Sequence, residues 1–380
     1  MIVKNYVQTR NVGAIIPASH DLSYDDILLT PNVSNIESRS ECDTSTQLCC
    51  AQNPDIKHTF KAPIINSPMD SICSTNLYES LKASGALPCT NRSELQRLPL
   101  NFTDTAMRQV GINAQLSGHI ICSVGTKNYE SHIEAICTAY PQQRMFLLDI
   151  ANGYSSVVEK PIKYMLQHIK HPIIIAGNVC DAAGFERLAD LGCSAIRVGI
   201  GNGSVCTTRL ATGVGRGQLS ALLEIEQVRT MSYPHVSIIA DGGLKQGGDI
   251  VKALAAGADF VMSGRLFAGC TECPLSIENE THSSSAGSAG SAGSATRKHL
   301  YRGQASDHYM QAHGIKKIGA EGTHTIVEET TSATHIIESL LMNIRSGMAY
   351  VGARNLKELR EKAVGRMISS GTLLEGNVRF

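Results

Sequence analysis

The sequence has no excess of charge of either sign, because 34 Lys and Arg balance 34 Asp and Glu in 380 residues, with a pI near 7.2. This balance argues against a partner held by bulk electrostatics, such as nucleic acid or an anionic membrane, although a local phosphate pocket stays open. The sequence also lacks long apolar runs. The longest, such as 172–176, fall far short of the roughly 20 residues that a membrane helix needs.

The first twenty residues lack the basic start and apolar core of a secretory signal. The twelve cysteines are scattered, and most lie inside apolar runs, unlike the dense cysteines of small secreted scaffolds. Cys270 and Cys273 form the only CxxC pair, which is weak support for zinc without a second pair. We therefore expect a cytoplasmic protein whose thiols act mostly as small core residues.

Short apolar runs recur along the chain, each followed by a stretch with helical periodicity. Because these runs do not alternate with polar residues, they predict strands buried on both faces, as in a parallel sheet. The runs span residues 63–68, 86–89, 119–125, 145–150, 172–177, 195–200, 237–242 and 259–264. Eight such strands predict an α/β fold, the (β/α)8 TIM barrel. A doubly wound open sheet is the alternative, but it would need a Gly-rich turn after the first strand, and residues 66–70 are not one.

Two additions flank the predicted barrel. We expect residues 1–57 to form an N-terminal arm and residues 58–269 to carry strands 1–8. Residues 270–322 then form a flap or hairpin insertion after strand 8, and residues 323–380 a C-terminal helical segment. The flap contains a Ser/Ala/Gly tract at 283–295, whose composition is that of a flexible linker. The whole chain is read as one catalytic domain.

Polar residues follow the predicted strands at the end where such barrels carry their active sites. Each alone is as compatible with a turn or helix cap as with chemistry, but their joint placement on one rim favours a site. They are Asp70, Asp149, Asn152, Asn178, the loop Gly201–Arg209, Asp241–Gly243 and Gly264–Arg265.

The loop after the sixth strand is the most informative part of this rim. Its glycines and Ser204 let the backbone approach a ligand, and a loop that runs into a helix presents N–H groups to phosphate. A cysteine on such a loop, here Cys206, can act as a nucleophile, with the hydroxyl of Thr208 beside the same substrate. The structural alternative is a buried cysteine next to a tight turn.

The two following strands predict a nucleotide site. Asp241 ends its strand with a carboxylate that can accept both hydroxyls of a ribose, and the glycines after it leave room for a phosphate. Gly264 and Arg265 would complete a phosphate site at strands seven and eight, its usual place in such barrels. Together these residues describe a mononucleotide that lies across the rim with its base over Cys206.

These residues carry a family resemblance over almost the whole chain. The sequence resembles the IMP dehydrogenase/GMP reductase family, and more closely its reductase branch. The GIGxGSVCTTR loop is highly specific. The matching segments are Tyr24–Leu29, Ser38–Ser40, Met69–Asp70, Asp149–Ser155, Ala176–Val179, Gly199–Ala221, Asp259–Met262, Glu321–Gly322 and Tyr350–Ala353.

Several features favour the reductases over the dehydrogenases. No regulatory CBS pair interrupts residues 90–118. The dehydrogenases activate water with an Arg-Tyr pair in a mobile flap, but only twenty residues separate Tyr301 from Glu321, and His308-Tyr309 has a histidine in place of the arginine. The alternatives kept open are an IMP dehydrogenase that makes XMP with NAD and a catalytically silent barrel that binds nucleotides. An FMN-dependent oxidase does not explain Cys206 with Thr208.

The resemblance implies an NADPH-dependent GMP reductase in purine salvage, which converts GMP to IMP and ammonia through a covalent bond between cysteine and C2 of the purine. It implies Cys206, Thr208 and Glu321 as catalytic residues, a potassium ion and a homotetramer. Substrate positions are Ser204, Asp241, Gly242, Gly243, Gly264, Arg265, Gln304, Ala305, Ser306 and Gly322. Cofactor positions are Ser38, Arg39, Arg92, Asp149, Ala151, Asn178, Ser346, Gly347, Met348 and Ala349, with Ser38 and Arg39 reaching a neighbouring subunit's cofactor. Potassium positions are Gly201, Gly203, Cys206 and Arg209.

Some positions depart from the family pattern. Asn66–Asp70 is closer to the dehydrogenases, and Arg265 stands where a small residue is usual. Gln304–Ser306 replaces a Met-Ser-Ser or Met-Gly-Ser turn that touches the base. Thr90–Arg92 stands near a usual His-Lys pair, and Ile318 replaces an arginine.

Overall fold

The computed structural model describes residues 21–93, 112–274, 297–316 and 319–376. The tract 283–295 and Ile318 lie outside these ranges. Within them, no helix combines the length and apolarity needed to cross a membrane. The strands are β1 (Ile27–Thr30), β2 (Thr46–Cys50), β3 (Asn53–Phe60), β4 (Ile64–Asn66), β5 (Cys122–Val124), β6 (Met145–Leu148), β7 (Ile173–Val179), β8 (Ala195–Val198), β9 (Ser237–Asp241), β10 (Phe260–Ser263), β11 (Lys298–Arg302), β12 (His324–Glu328) and β13 (Val364–Met367). The helices are α1 (Thr75–Ala83), α2 (Tyr129–Ala139), α3 (Glu159–His168), α4 (Ala182–Asp190), α5 (Thr208–Thr212), α6 (Gln218–Ser232), α7 (Gly247–Ala255), α8 (Asp307–Ala312), α9 (Ala333–Val351), α10 (Leu356–Lys362) and α11 (Ser370–Glu375).

Seven of these strands form one parallel sheet in the order β4-β10-β9-β8-β7-β6-β5. Parallel bridges from Ile65 to Leu87 and from Cys89 to Ile121 join the two outer strands through one further extended segment. The sheet therefore curls into a barrel, and the predicted (β/α)8 fold is confirmed. Each of the eight apolar runs supplies one position around it.

The strands are apolar on both faces because each face meets a different core. Along β7, Ile173 and Ile175 belong to the cluster inside the barrel, while Ile174 and Ala176 pack outward against the helices. All four side chains are fully buried. A strand that must fill two cores cannot alternate with polar residues, which is why the runs are continuous in the sequence.

The hairpin β2–β3 closes the N-terminal end of the barrel. Leu48, Cys50 and Phe60 join the interior cluster, and the rings of Phe60 and Phe260 meet edge to face at 5.7 Å between centroids. The expected boundary between residues 57 and 58 thus falls inside β3, within an element that packs into the barrel.

The eighth barrel helix comes from the segment that the sequence assigned to the C-terminus. Helix α9 packs between α1 and α7, which places it on the outside of the barrel after β10. The antiparallel pair β1–β13 then joins the start of the described chain to its end. The insertion after strand 8 therefore separates β10 from its own helix.

Candidate active site

A cavity of about 610 Å³ opens at the carboxyl ends of the barrel strands, which is within the usual range for small-molecule sites. The predicted catalytic residues and all of the predicted substrate residues except Ser306 lie on its wall. The predicted residues lining it are Arg92, Asp149, Ala151, Asn178, Gly201, Gly203, Ser204, Cys206, Thr208, Arg209, Asp241, Gly242, Gly243, Gly264, Arg265, Gln304, Ala305, Glu321 and Gly322.

A thiol, a hydroxyl and a carboxylate form a chain of contacts on one side of the cavity. The Sγ of Cys206 lies 3.1 Å from Oγ1 of Thr208, which in turn lies 3.3 Å from Oε2 of Glu321. All three side chains are partly exposed to the cavity. A proton can move along this chain between the sulfur and the carboxylate, because a hydroxyl both donates and accepts.

Main-chain hydrogen bonds fix the carboxylate relative to the nucleophile. The N–H of Thr207 donates to O of Glu321 at 3.0 Å, and that of Thr323 donates to O of Val205 at 2.9 Å. On the other side, the N–H of Glu321 donates to O of Ala305 at 3.1 Å. The segment 321–323, at the end of the flap, thus lies between two loops of the cavity wall and is bridged to both through Gly322.

The predicted phosphate end of the cavity is built from small residues and hydroxyl groups. The hydroxyl groups of Ser204 and Tyr301 are 3.1 Å apart, and burial raises the pKa of Tyr301, so its phenol is a neutral donor. A Cβ at Gly264 would lie 2.6 Å from Sδ of Met69 and 3.2 Å from the hydroxyl of Tyr301, so a larger residue would have to displace the Met69 side chain. Arg265 is exposed on the same wall and supplies a positive charge for an anion.

The predicted ribose site lies at the end of β9. Asn202 holds the loop against the strand by donating from Nδ2 to O of Asp241 at 2.9 Å. Gly242 follows with φ +86°, and a Cβ there would lie 3.0 Å from Oδ1 of Asn202. Gly243 also has a positive φ of +75°. The turn therefore needs glycine and leaves the main chain bare beside the carboxylate.

The turn that departs from the family pattern is held by its own side chains. Nε2 of Gln304 donates to O of Pro68 and lies 3.4 Å from Oδ1 of Asn91. Ser306 is fully buried, and its Oγ accepts from N of Tyr309 at 3.1 Å. Ser306 therefore caps α8 instead of lining the cavity. Gln304 ties the turn to the loops that follow the first two barrel strands.

The predicted cation loop offers carbonyl oxygen atoms. The described residues donate no hydrogen bond to the carbonyls of Gly201 and Cys206, whereas that of Gly203 accepts from N of Cys206 at 3.0 Å. The side chain of Arg209 crosses the loop and donates from Nε to O of Ile200 at 3.1 Å. Free main-chain carbonyls are the ligands that suit a hard monovalent cation.

The predicted cofactor residues fall into two separate groups. Arg92, Asp149, Ala151 and Asn178 line the cavity, and Oδ2 of Asp149 is buried without a hydrogen bond from the described residues. This oxygen forms an ion pair with Nε of Arg92 at 3.5 Å, so the two predicted residues hold each other on the cavity wall.

The second group lies outside the cavity, where Nη1 of Arg39 donates to Oγ of Ser346 at 3.1 Å. Ser38 caps the short 3-10 helix that carries Arg39. The side chain of Met348 is fully buried, and a Cβ at Gly347 would lie 2.8 Å from Val251, so these two residues pack into the core. Ala349, beside them, is partly buried. Within one subunit this second group does not contribute to the cavity.

Sequence reasoning missed Arg197, which lies on the cavity wall in the middle of β8. Its guanidinium bonds two predicted site residues, Asp149 and Asp241. The signal was present, because Arg197 is the one charged residue in an otherwise apolar run, and a buried charge requires partners.

The CxxC pair is a pair of buried thiols with Sγ of Cys270 and Cys273 3.4 Å apart. A hydrogen bond from Cys270, with burial next, raises the pKa of Cys273. In the described parts of the chain, no group of three or more His, Cys, Asp or Glu is arranged to hold a metal. The zinc alternative thus gains no support.

Comparison with known proteins agrees with this geometry. The model of the IMP dehydrogenase / GMP reductase domain matches residues 21–379. The chain is 32% identical over 346 residues to a GMP reductase of Onchocerca volvulus, covering 90% of this chain and 89% of that protein. It is 33% identical to human GMP reductase 2 over 90% of this chain and 92% of that protein. It is 33% identical to mouse GMP reductase 1 over 92% and 95%.

Proposed function

Since the chain belongs to the IMP dehydrogenase / GMP reductase family, we propose that it is a GMP reductase, which converts GMP, NADPH and a proton to IMP, ammonia and NADP⁺ in purine salvage. The contact chain from Cys206 through Thr208 to Glu321 carries this proposal. The relatives named above are GMP reductases, and similarity extends over nine-tenths of the chain.

The chemistry divides into two steps at C2 of the purine. In the first, Sγ of Cys206 attacks C2, and its proton passes through Thr208 to Glu321 and on to the 2-amino group. Ammonia leaves, and a bond between sulfur and C2 remains. NADPH, when bound, would supply the hydride for C2 in the second step. The bond from C2 to sulfur would then break, which releases IMP and a thiolate, and a proton returned through Glu321 and Thr208 restores the thiol.

The substrate's phosphate and ribose are bound on either side of this centre. Ser204, Gly264 and Arg265 take the phosphate, and Asp241 with Gly242 takes the ribose. The neutral phenol of Tyr301 and the charge of Arg265 support an anion at that end. Gln304, Ala305 and Gly322 lie beside the base. Ser306 contributes indirectly, because its hydroxyl caps α8 and so holds the end of the turn 304–306.

The dinucleotide contacts two groups of residues, one in the cavity and one on a neighbouring subunit. Asp149, Ala151, Asn178 and Arg92 hold its nicotinamide end, which their shared place on the cavity wall supports. The group around Ser38, Arg39 and Ser346–Ala349 lies outside the cavity of its own subunit, and this separation supports a contact to the cofactor of a neighbouring one. A homotetramer follows from this arrangement in the family.

Two further features belong to the proposal. Gly201, Gly203 and Cys206 supply carbonyls to a potassium ion, with Arg209 bracing the loop. None of the twelve cysteines, all of which lie in the described residues, forms a disulfide, which supports a reducing compartment, the cytoplasm.

A contact in the flap favours IMP dehydrogenase as the second candidate. The guanidinium of Arg302 lies over the ring of Tyr309, 5.5 Å from its centroid. This is an Arg-Tyr pair, but its arginine is Arg302, whereas the sequence comparison looked for an arginine at position 308. The same guanidinium, however, donates to both carboxylate oxygens of Asp70 and to Nδ1 of His308. An arginine already bonded to Asp70 and His308 is poorly placed to activate water.

The test is reduced-nicotinamide absorbance in potassium buffer. GMP with NADPH should lose absorbance, and IMP with NAD⁺ should show no gain. A gain in the second cuvette alone would establish the dehydrogenase. Silence in both, with GMP still bound, would indicate a silent nucleotide-binding barrel. The purified wild-type protein serves in every arm, and heat-denatured protein is the blank.

A further inference from the structure

Arg197 is a buried cation that the proposed chemistry does not use. It is 7% exposed, and its Nη1 donates to Oδ1 of Asp149 at 2.8 Å. Nη2 and Nε donate to Oδ2 of Asp241 at 2.7 and 3.2 Å. Burial opposes the charge, but the two carboxylates outweigh it and raise the pKa of Arg197, so the cation is permanent. One planar group thus holds a carboxylate at the end of β9 and another directly after β6.

The contacts leave one oxygen of Asp241 ready for a ligand. Oδ2 receives three donors, because Nδ2 of Asn178 joins the two from Arg197 at 2.8 Å. Oδ1 receives no hydrogen bond from the described residues. A carboxylate oxygen has two lone pairs, so Oδ1 can accept two hydroxyl groups of one ribose. Arg197 and Asn178 therefore hold the carboxylate through Oδ2, and Oδ1 is the oxygen left for a ligand in the cavity that Asp241 lines.

Asp149 shows the same division between its two oxygens. Oδ1 is bound to Arg197, while Oδ2 is buried with no hydrogen bond from the described residues. Oδ2 instead forms an ion pair with Arg92, whose Nε lies 3.5 Å away. The carboxylate of Asp149, on the dinucleotide side of the cavity wall, is therefore held between Arg197 and Arg92.

We propose that Arg197 is a positioning residue that couples the mononucleotide and dinucleotide subsites. The inference rests on the proposed function for the identity of the two ligands. A ligand that orders Asp241 also orders the guanidinium, and this in turn orders Asp149. The second ligand then loses less conformational entropy on binding, so each ligand tightens the other by the same factor.

Lysine tests this role because it keeps the charge and loses the geometry. Its ammonium is a single point of charge on a flexible stem, whereas guanidinium is a rigid fork with donors on several edges. In Arg197→Lys one ammonium cannot hold both carboxylates in their present rotamers. Both subsites keep a nearby cation, so each ligand still binds.

The experiment measures binding and not turnover. IMP and NADPH serve as probes, because IMP already carries hydrogen at C2 and cannot accept the hydride. Calorimetry gives the affinity for IMP with and without saturating NADPH, and the ratio is the coupling factor. We expect about fivefold or more in the wild type, within the usual range of such couplings, and less than about twofold in Arg197→Lys.

Arg229→Lys is the matched control. Arg229 is also a largely buried arginine that bonds one carboxylate through two nitrogens, that of Glu226, but it lies near the end of α6 that faces away from the cavity. It should keep the wild-type coupling factor. A general loss of packing at either arginine would weaken both ligands without changing their ratio.

Equal coupling factors in wild type and Arg197→Lys would overturn the inference, as would a wild-type factor near one. The wild-type measurement stands even if the variant fails to fold. Turnover of GMP with NADPH by the wild type separates this failure from failure of the proposed function: an active enzyme without coupling refutes only the role of Arg197.

Discussion

Replacing Thr208 by valine removes one oxygen from the middle of the contact chain and little else. Valine has nearly the shape of threonine, so the first turn of α5 keeps its packing. The hydroxyl that lies 3.1 Å from Sγ of Cys206 and 3.3 Å from Oε2 of Glu321 is lost. Without it, the thiol and the carboxylate have no shared partner through which a proton can pass.

The expected loss follows from the usual worth of a positioned acid or base. Such a group contributes about 10²- to 10⁴-fold, and Thr208 is one of the two members of the proposed relay, with Glu321. We expect Thr208→Val to lower kcat by about 10²- to 10³-fold, or about 2.7 to 4 kcal/mol of transition-state stabilisation. The KM for GMP should change little, because the hydroxyl does not contact the phosphate or ribose site.

Thr212→Val is the matched control, since it removes a hydroxyl from the same helix that bonds only main-chain atoms of Thr208 and Val214. Steady-state NADPH oxidation, with ammonia release measured in parallel, gives kcat and KM for both variants. If Thr208→Val retains kcat within about threefold of the wild type, well below the effect of one acid or base, the hydroxyl is not in the relay. Loss of activity in Thr212→Val would instead point to damage to α5.

Other predictions follow from single contacts. Cys206→Ala should abolish NADPH oxidation but still bind GMP in calorimetry, because the sulfur is needed for bond formation and not for the phosphate or ribose. Tyr301→Phe removes the hydrogen bond to Ser204, worth about 1 kcal/mol, so the KM for GMP should rise about fivefold in steady-state kinetics with kcat unchanged. Phe260→Ala should cost about 3 to 5 kcal/mol in urea unfolding, because it empties a fully buried ring site against Phe60; a loss below 1 kcal/mol would contradict the closed barrel end. Exchanging potassium for lithium should lower turnover, and added potassium should restore it, because a smaller ion fits the carbonyls of the cation loop poorly.

The sequence predicts the barrel well because its signal is local. A strand such as β7 must bury side chains on both faces, so its apolar run is visible without knowledge of any neighbour. The rim residues follow from the same argument, since parallel strands bring their ends to one edge. Cys206, Thr208 and Asp241 were found in this way, and they line one cavity.

What the sequence does not predict depends on contacts between distant segments. Helix α9 has the periodicity of any amphipathic helix, and nothing local says that it completes the barrel after a long insertion. Ser306 looks like a substrate contact in the motif, but its hydroxyl caps α8. Arg197 was visible as a lone charge, yet its two partners lie 48 and 44 residues away.

The ladder between β11 and β12 has a consequence for how this family can vary. Its five residue pairs, from Lys298 with Glu328 to Arg302 with His324, keep two parts of the insertion apart. One end of the ladder leads to the turn at 303–306 and to Glu321, and the other leads back toward residue 274 and the Ser/Ala/Gly tract. A change in the length of the tract enters at the end of the ladder away from Glu321. All five residue pairs then lie between that change and the Glu321 carboxylate. Evolution can therefore lengthen, shorten or decorate the tract while catalysis stays under separate selection, and the same position is a natural place to graft a tag or a binding module.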